Sequence, residues 1–434
     1  MAPSIILAAN KHHTPRAPLA VLGYCLTQSQ FLAPLWKPVH LTSKVYRHRP
    51  TEKLQDILVA ILAGCRSLSQ VNTRLRPDKA LAQAWQRPQF ADQSTLSRTL
   101  DSLESAHIEQ LRIGHLALLK QYSHLRHHDW QKPLMLDIDA TSLLASKRAE
   151  GSRKGWVSGH KNRYCRHVLR FMLAGYHETL LSLVFAGDRH GFEHFKPAMH
   201  ALQRHWPWSR AQRQRIILRA DAGLGTDSNV RYSLRLGFQI LMKMYSGRRT
   251  QAWQRQTQEA AWIADPQHPH RWMAPVSHTW PFGPRVQAYL LRWQNRTQKL
   301  QHATLLTTLP CADAPFSLWD LYDGRGASEI EFRADKSGLK LHLRRKHLLT
   351  AMEAWVLLTD IAHNLLSWLR SWCLADSAFA AFGPKRFVED LLTIPGHLCF
   401  EQGQLVKVTL DANHPYAPDM ASALHNMLKC FDLA

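Results

Sequence analysis

Two short apolar runs, each leading into an aspartate, constrain the fold of this chain more than any other feature. The first is LMLDIDAT at residues 134–141 and the second RIILRADAG at residues 215–223. Both read as strands ending in acids, Asp139 in the first and Asp221 in the second. Between them, two long β-like runs at 165–176 and 179–186 flank a tight turn at His177-Glu178 and predict an antiparallel hairpin. A helix over about 192–205 follows the hairpin, and after the second acid come a helix over 227–236 and a strand over 238–244. Three early strands, then strands alternating with helices, predict a mixed α/β sheet.

Upstream the pattern is helical. Leu54, Ile57, Leu58, Ile61 and Leu62 keep an i, i+3, i+4 apolar face, and Gly64 is placed to end that helix. After a second run at 68–75, a segment opening at Asp92 carries an apolar stripe of Leu96, Leu100 and Leu103. Its other face is polar: Gln93, Ser94, Thr95, Ser97 and Arg98. Short helices followed by a polar-fronted one suit a helix-turn-helix-like reader of DNA; a plain bundle whose Ser and Thr cap a helix fits the same residues. Residues 1–45 carry several prolines and no clear period, and are expected to form an arm with some local order. Downstream, residues 246–311 hold Trp253, Trp262, Trp272, Trp280 and Trp293 and two plausible strands, 286–293 and 303–309, so a mainly β insertion is expected there. A long helical stretch at 341–372 and a small hairpin turning at Gln402-Gly403 complete the chain.

Charge narrows the partner. With 55 Lys and Arg against 33 Asp and Glu, the chain carries a formal +22 and a pI near 10, which points to a polyanion, most simply a nucleic acid. A membrane is not expected: the most apolar long helix, at 351–373, is interrupted by Glu353, Asp360, His363 and Arg370, and the N-terminus lacks signal-peptide features. The 7 cysteines are scattered without a CxxC pair, as free thiols in a reducing cytoplasm would be.

A third acid stands at Glu329. At about 100° per residue, Tyr322, Arg325, Glu329, Arg333 and Lys336 share one narrow helical stripe, a carboxylate flanked by a phenol, two guanidiniums and an ammonium. A solvated flank with a Glu329–Arg333 pair is the plain alternative. A carboxylate that holds metal, with Arg and Lys gripping phosphate oxygens beside it, suits phosphodiester chemistry. Carboxylates brought together repel unless a cation neutralises them, so convergence of Asp139, Asp221 and Glu329 implies metal. Two Mg²⁺ ions about 3.5–4 Å apart could then clamp a scissile phosphate. Asp137 alternates onto the same strand face as Asp139, so either could reach the metal.

These residues resemble those of the DDE transposases of bacterial insertion sequences. The matching positions are Asp139 in DIDAT, Asp221 in LRADAGLG, and Tyr322, Arg325, Glu329 and Lys336, which keep the family's spacing of two, three and six intervening residues. The resemblance implies a ribonuclease-H-like catalytic domain in which Asp139, Asp221 and Glu329 hold two Mg²⁺, with Mn²⁺ able to substitute. It implies cut-and-paste transposition, with hairpin ends as one route, on the element's terminal inverted repeats and a target duplex, by a protein that dimerises on DNA in the bacterial nucleoid. It also places Arg325 and Lys336 on phosphates near the transferred end and gives Tyr322 a phosphate contact or an orienting role.

Further DNA contacts are expected from Arg98, Arg333 and the basic run Arg153, Lys154, Lys161, Arg163 and Arg166. Trp272 and Trp280 are candidates to stack on a flipped base. The expected outline is an arm at 1–45, a helical DNA-binding module at 46–130, a catalytic domain at 131–245 and 312–373 interrupted by the β-rich insertion at 246–311, and a helical and small-β C-terminal region at 374–434. Two alternatives use the same residues: a catalytically inactive DNA-binding regulator, and a ribonuclease-H-like metal nuclease that cuts without joining.

Overall fold

The computed structural model describes residues 10–42, 47–157, 159–276, 285–310 and 315–433. The chain divides into two units, one of Met1–Ser123 with Glu331–Ala434 and one of His124–Ile330.

The first unit opens with helix α1 (Ala17–Gln28), whose residues from Ala17 to Leu26 are all buried. This corrects the expectation of an arm: the helix is apolar all round, so it shows no period in sequence. Helix α2 (Pro50–Leu62) buries the predicted face, and Gly64, at φ 66, takes the left-handed conformation that stops it. Asp56 on the same helix is fully buried and accepts from Arg87 Nε at 3.2 Å and the Ala91 amide at 2.8 Å. Helix α3 (Ser69–Arg74) is followed by α4 (Gln93–Asp101), capped by Asp92, which accepts from the Ser94 and Thr95 amides. The Ser94 and Thr95 hydroxyls also donate to Asp92, at 2.5 and 2.7 Å, so part of the polar front is spent on the cap. Helix α5 (Ser105–Tyr122) ends this part of the unit.

The second unit is built on a 10-stranded mixed sheet. The strands that matter for the site are β1 (Leu134–Leu144), β2 (Arg153–Val157), β3 (His160–Leu173), β4 (Glu178–Ala186), β5 (Ile216–Ala220) and β6 (Gln239–Lys243). β3 is antiparallel to β1, β4 and β2, whereas β1, β5 and β6 run parallel. Helices α6 (Gly191–His205) and α7 (Asp227–Arg235) join the parallel strands. Beyond β6 the tryptophan-rich stretch continues the same sheet through β7 (Arg271–Pro275), β8 (Gln287–Gln294) and β9 (Leu300–Thr307), in the order β6-β9-β8-β7. The predicted hairpin of β3 and β4 is present, turning at His177 with φ 56.

Helix α8 (Pro315–Asp323) lies with Leu318, Trp319 and Tyr322 in one apolar cluster with Leu241, Tyr289, Leu291 and Leu305 of the sheet. Helix α9 (Gly326–Ser337) carries the chain back into the first unit. There α10 (Leu349–Cys373) is buried along most of its length. Its polar interruptions find partners: His363 Nδ1 lies 2.9 Å from Asp335 Oδ1, and Asn364 Nδ2 lies 2.9 Å from His115 Nε2. Among the described residues no helix is long and apolar enough to cross a membrane. Strands β10 (Gly396–Glu401) and β11 (Gln404–Leu410) form the predicted small hairpin, with Gln402 and Gly403 both at positive φ, and α11 (Ala417–Cys430) follows.

Candidate functional site

The site grows from one face of the parallel strands. Asp137 on β1 is in register with Arg219 on β5, so the two side chains meet on the same face. Arg219 donates from Nε to Asp137 Oδ1 at 2.6 Å and from Nη2 to Oδ2 at 2.8 Å, and both residues are buried. Its remaining nitrogen, Nη1, donates to the Leu321 carbonyl in α8. A Cβ on Gly324 would stand 3.0 Å from that Nη1, which is why a glycine ends this helix. One guanidinium thus ties both acid-bearing strands to the helix that precedes Arg325. Asp137 is engaged by this fork, and Asp139 lies two residues further along the same strand.

Two residues further along each chain, the same alternation brings Asp139 and Asp221 to the outer end of the same face. Arg325 faces them. Its Nη1 lies 3.7 Å from Asp139 Oδ1, and its Nη2 donates to Glu329. The Arg325 Nε and Nη1 are buried and make no hydrogen bond among the described residues. Burial pushes the Asp139 carboxyl up to about 6; the Arg325 charge opposes the shift, while Asp221 and Glu329 add to it. Asp221 is raised as well, first by burial, with Arg325 again opposing and Glu329 adding. One arginine undercompensates three acids drawn from β1, the end of β5 and α9. Among the described residues, no three His, Cys, Asp or Glu side chains converge tightly enough to hold an ion as they stand.

The continuous stripe expected over 322–336 is corrected. Tyr322 belongs to α8, Arg325 lies in the turn Gly324-Arg325, and Glu329 opens α9. The glycines at 324 and 326 break the helix there, and Glu329 gains from the first turn of a new helix, where the dipole favours a carboxylate. Arg333 and Lys336 follow on later turns of α9, Arg333 exposed and Lys336 with its Nζ 5.3 Å from the Phe332 ring centroid. Tyr322 is 4% exposed, and burial pushes its phenol up to about 12.

Sequence reasoning missed Lys243. It ends β6, the third parallel strand, and its Nζ sits 4.6 Å from the Tyr322 ring centroid and 5.4 Å from that of Trp293. Burial lowers its pKa, opposed by Asp323, Glu329 and Asp221. The signal was available: like Asp221 after β5, it is the polar residue at the end of an apolar strand, whereas β1 continues beyond Asp139 to Leu144, which corrects the expectation that its strand stops at that acid. Gly225 makes room beside it, since a Cβ there would come within 1.9 Å of the Lys243 carbonyl oxygen.

Of the expected DNA contacts, Arg153, Lys154, Lys161 and Arg163 are exposed on the β2–β3 hairpin. Arg166 does not join them: it is 2% exposed and donates from Nε to the Glu150 carbonyl at 2.7 Å, because β3 at that point runs between β1 and β4. Arg98 is exposed on α4 and bonds Ser94 one turn back, at 3.1 Å to Oγ. Trp272 is half-buried with the Arg292 guanidinium 5.0 Å from its ring centroid, so that face is covered; Trp280 lies outside the described residues.

The sequence matches the family described as transposase DDE domain group 1 over residues 29–430. A search of curated proteins finds no match. Among solved structures, the chain is similar to a piggyBac transposase synaptic complex with hairpin DNA, at 10% identity and a TM-score of 0.44, covering 88% of this chain and 82% of that one. It is also similar to a pre-cleavage Mos1 transpososome, at 14% identity and a TM-score of 0.17, covering 46% of this chain and 60% of that one. Neither likeness is close enough to carry a structural argument, whereas the family match spans nearly the whole sequence. By that match the chain belongs to the transposase DDE domain group 1 family.

Proposed function

We propose that this transposase cuts and rejoins DNA ends by divalent-metal chemistry, with Asp139, Asp221 and Glu329 as the metal ligands. The observation that carries the reading is the assembly of three acids, far apart in sequence, around the single guanidinium of Arg325. Their donor chemistry fits a hard cation such as Mg²⁺: all carboxylate oxygen, with more negative charge than Arg325 offsets. The strand order β4-β3-β1-β5-β6, with β3 antiparallel and the last three parallel, supports a ribonuclease-H-like sheet presenting these acids.

When bound, Mg²⁺ supplies charge neutralisation at the phosphate and a lowered pKa for the attacking water or hydroxyl. The chain's own residues do the rest. Water attacks phosphorus at the element end, and the P–O3′ bond breaks to leave a 3′-hydroxyl and a 5′-phosphate. That hydroxyl then attacks a second phosphodiester and displaces another 3′-oxygen, closing a hairpin or joining a target strand. Arg325, relieved of its carboxylates by the metal, is free to turn to phosphate oxygens. Lys336 extends that role along α9, and Tyr322 holds Lys243 and the Arg325 turn in place. The exposed Arg153, Lys154, Lys161 and Arg163 follow the DNA backbone, with Arg98 and Arg333 as further contacts. Reading of DNA by α3 and α4, and pairing of two ends by a dimer, belong to the same proposal.

The test incubates purified protein with Mg²⁺ and a plasmid carrying the DNA that flanks its gene, beside Glu329→Ala. Cutting at the element ends by the wild type alone, followed by joining, supports the proposal. Cutting without joining identifies a nuclease, and binding without cutting in Mg²⁺ or Mn²⁺ identifies an inactive regulator.

A further inference from the structure

At the opposite end of the parallel strands from the acids lies an open groove of about 960 Å³. It borders Gln214, just before β5, and Gln239, the first residue of β6, and is lined by Arg210, Arg213, Arg235 and Arg285. The 5-residue strand β5 separates Gln214 from Asp221, so the groove and the acids sit roughly 17 Å apart. Among the described residues that line it, none carries an acidic side chain.

The four arginines divide by role. Arg213 is part of the wall: its Nε donates to the Leu236 carbonyl at 2.6 Å and its Nη1 to the Trp208 carbonyl at 2.5 Å. Gly237, at φ 88, takes the left-handed conformation in the turn beside it. Arg210, Arg235 and Arg285 are exposed, and none of the three forms an ion pair among the described residues. They come from three separate places: the turn at 210–213, the last residue of α7 and the approach to β8. All three border one groove, so its positive potential favours an anion. Gln214, Gln239, Gln287 and Thr308 add polar side chains to the same wall.

We propose that this groove is a second DNA site, which binds the sugar-phosphate backbone of duplex DNA away from the reacting phosphate. The inference rests on the DNA-processing reading given above. The chemistry favours duplex over single strand: Arg forks and amides suit phosphate and sugar, while the groove's aromatic residue, Phe238, is 3% exposed and offers no face for base stacking. Contacts of this kind hold and orient the helix without reading its sequence.

The experiment measures binding of a fluorescein-labelled 40-base-pair duplex by anisotropy in EDTA, across KCl concentrations, for wild type and the triple variant R210Q/R235Q/R285Q. Each lost phosphate contact removes roughly 0.9 from the slope of log affinity against log salt, so the slope should flatten by about 2–3 and affinity at low salt should fall at least about tenfold. An unchanged slope and affinity overturn the proposal. The charge-retaining variant R210K/R235K/R285K should keep the wild-type slope; if it flattens equally, the effect is structural and the proposal falls. Cleavage by the wild type is scored separately in Mg²⁺. A flattened slope with no cleavage retains the groove and rejects the catalytic reading, and cleavage with an unchanged slope does the reverse.

Discussion

Two layers of charge on one sheet face make a natural comparison. The inner layer pairs Asp137 with Arg219, one carboxylate and one guanidinium in a buried two-pronged contact. The outer layer, two residues along each strand, sets Asp139, Asp221 and Glu329 against Arg325. The inner contact ties β1 and β5 to α8, so its value is mechanical. The outer group is unbalanced: burial and like charge hold Asp139 and Asp221 above the ordinary carboxylate range. The lesson is that one fold can place a satisfied ion pair and an unsatisfied acid cluster side by side, using the first to rigidify the second.

The most damaging change should be to the inner layer. Arg219→Ala removes the two-pronged contact to the buried Asp137 carboxylate, and should cost about 3–5 kcal/mol, read as a lowered midpoint in urea unfolding. The apolar double variant Asp137→Leu with Arg219→Met should recover much of that loss while still failing to cut DNA. Recovery of both stability and cutting would show that the pair has no positioning role.

Asp139→Asn should act in the opposite direction. The folded-state pKa of Asp139 is raised from 3.8 to about 6, so its ionised form is disfavoured in the fold. Its contribution to stability is complete below pH 3.8 and is lost as pH rises through about 6. The variant should therefore be more stable than wild type in EDTA at pH 7.5 by about 3 kcal/mol, converging with it near pH 3.5. Greater instability at neutral pH would mean that Arg325 already satisfies this acid.

Removing Arg325 should have a smaller effect, because Glu329 is 42% exposed and water screens that contact. Arg325→Met is expected to lose about 1–2 kcal/mol in EDTA as the acids lose their countercharge. Added Mn²⁺ should raise its melting temperature more than it raises that of the wild type, if a metal and the guanidinium compete for the same carboxylates. Equal metal-induced shifts in the two proteins would separate Arg325 from the metal site.

Much of this was legible along the chain. The strand carrying Asp139, the hairpin of β3 and β4, the cap at Asp92 and the turn at Gln402-Gly403 each follow from residues within a few positions of one another. What went unread has identifiable reasons. Helix α1 carries no period because all its faces are buried. Arg166 looked like part of a basic run, yet β3 is flanked by β1 and β4 where it stands, and it is buried there. The stripe from Tyr322 to Lys336 kept the right spacing, although glycines divide it between α8 and α9.

The sequence alone placed a strand around Asp139 and another just before Asp221, although β1 runs on past Asp139 to Leu144, and it grouped with them a glutamate with matched Tyr, Arg and Lys spacing. Those facts are local, set by side-chain period, turn chemistry and residue order. Only the tertiary structure decided that Asp137 faces Arg219, that Lys243 closes the third parallel strand beside Tyr322, and that β7 to β9 extend the main sheet. Pairing between strands distant in sequence depends on register and packing summed over the whole sheet, and no short stretch of residues carries that information.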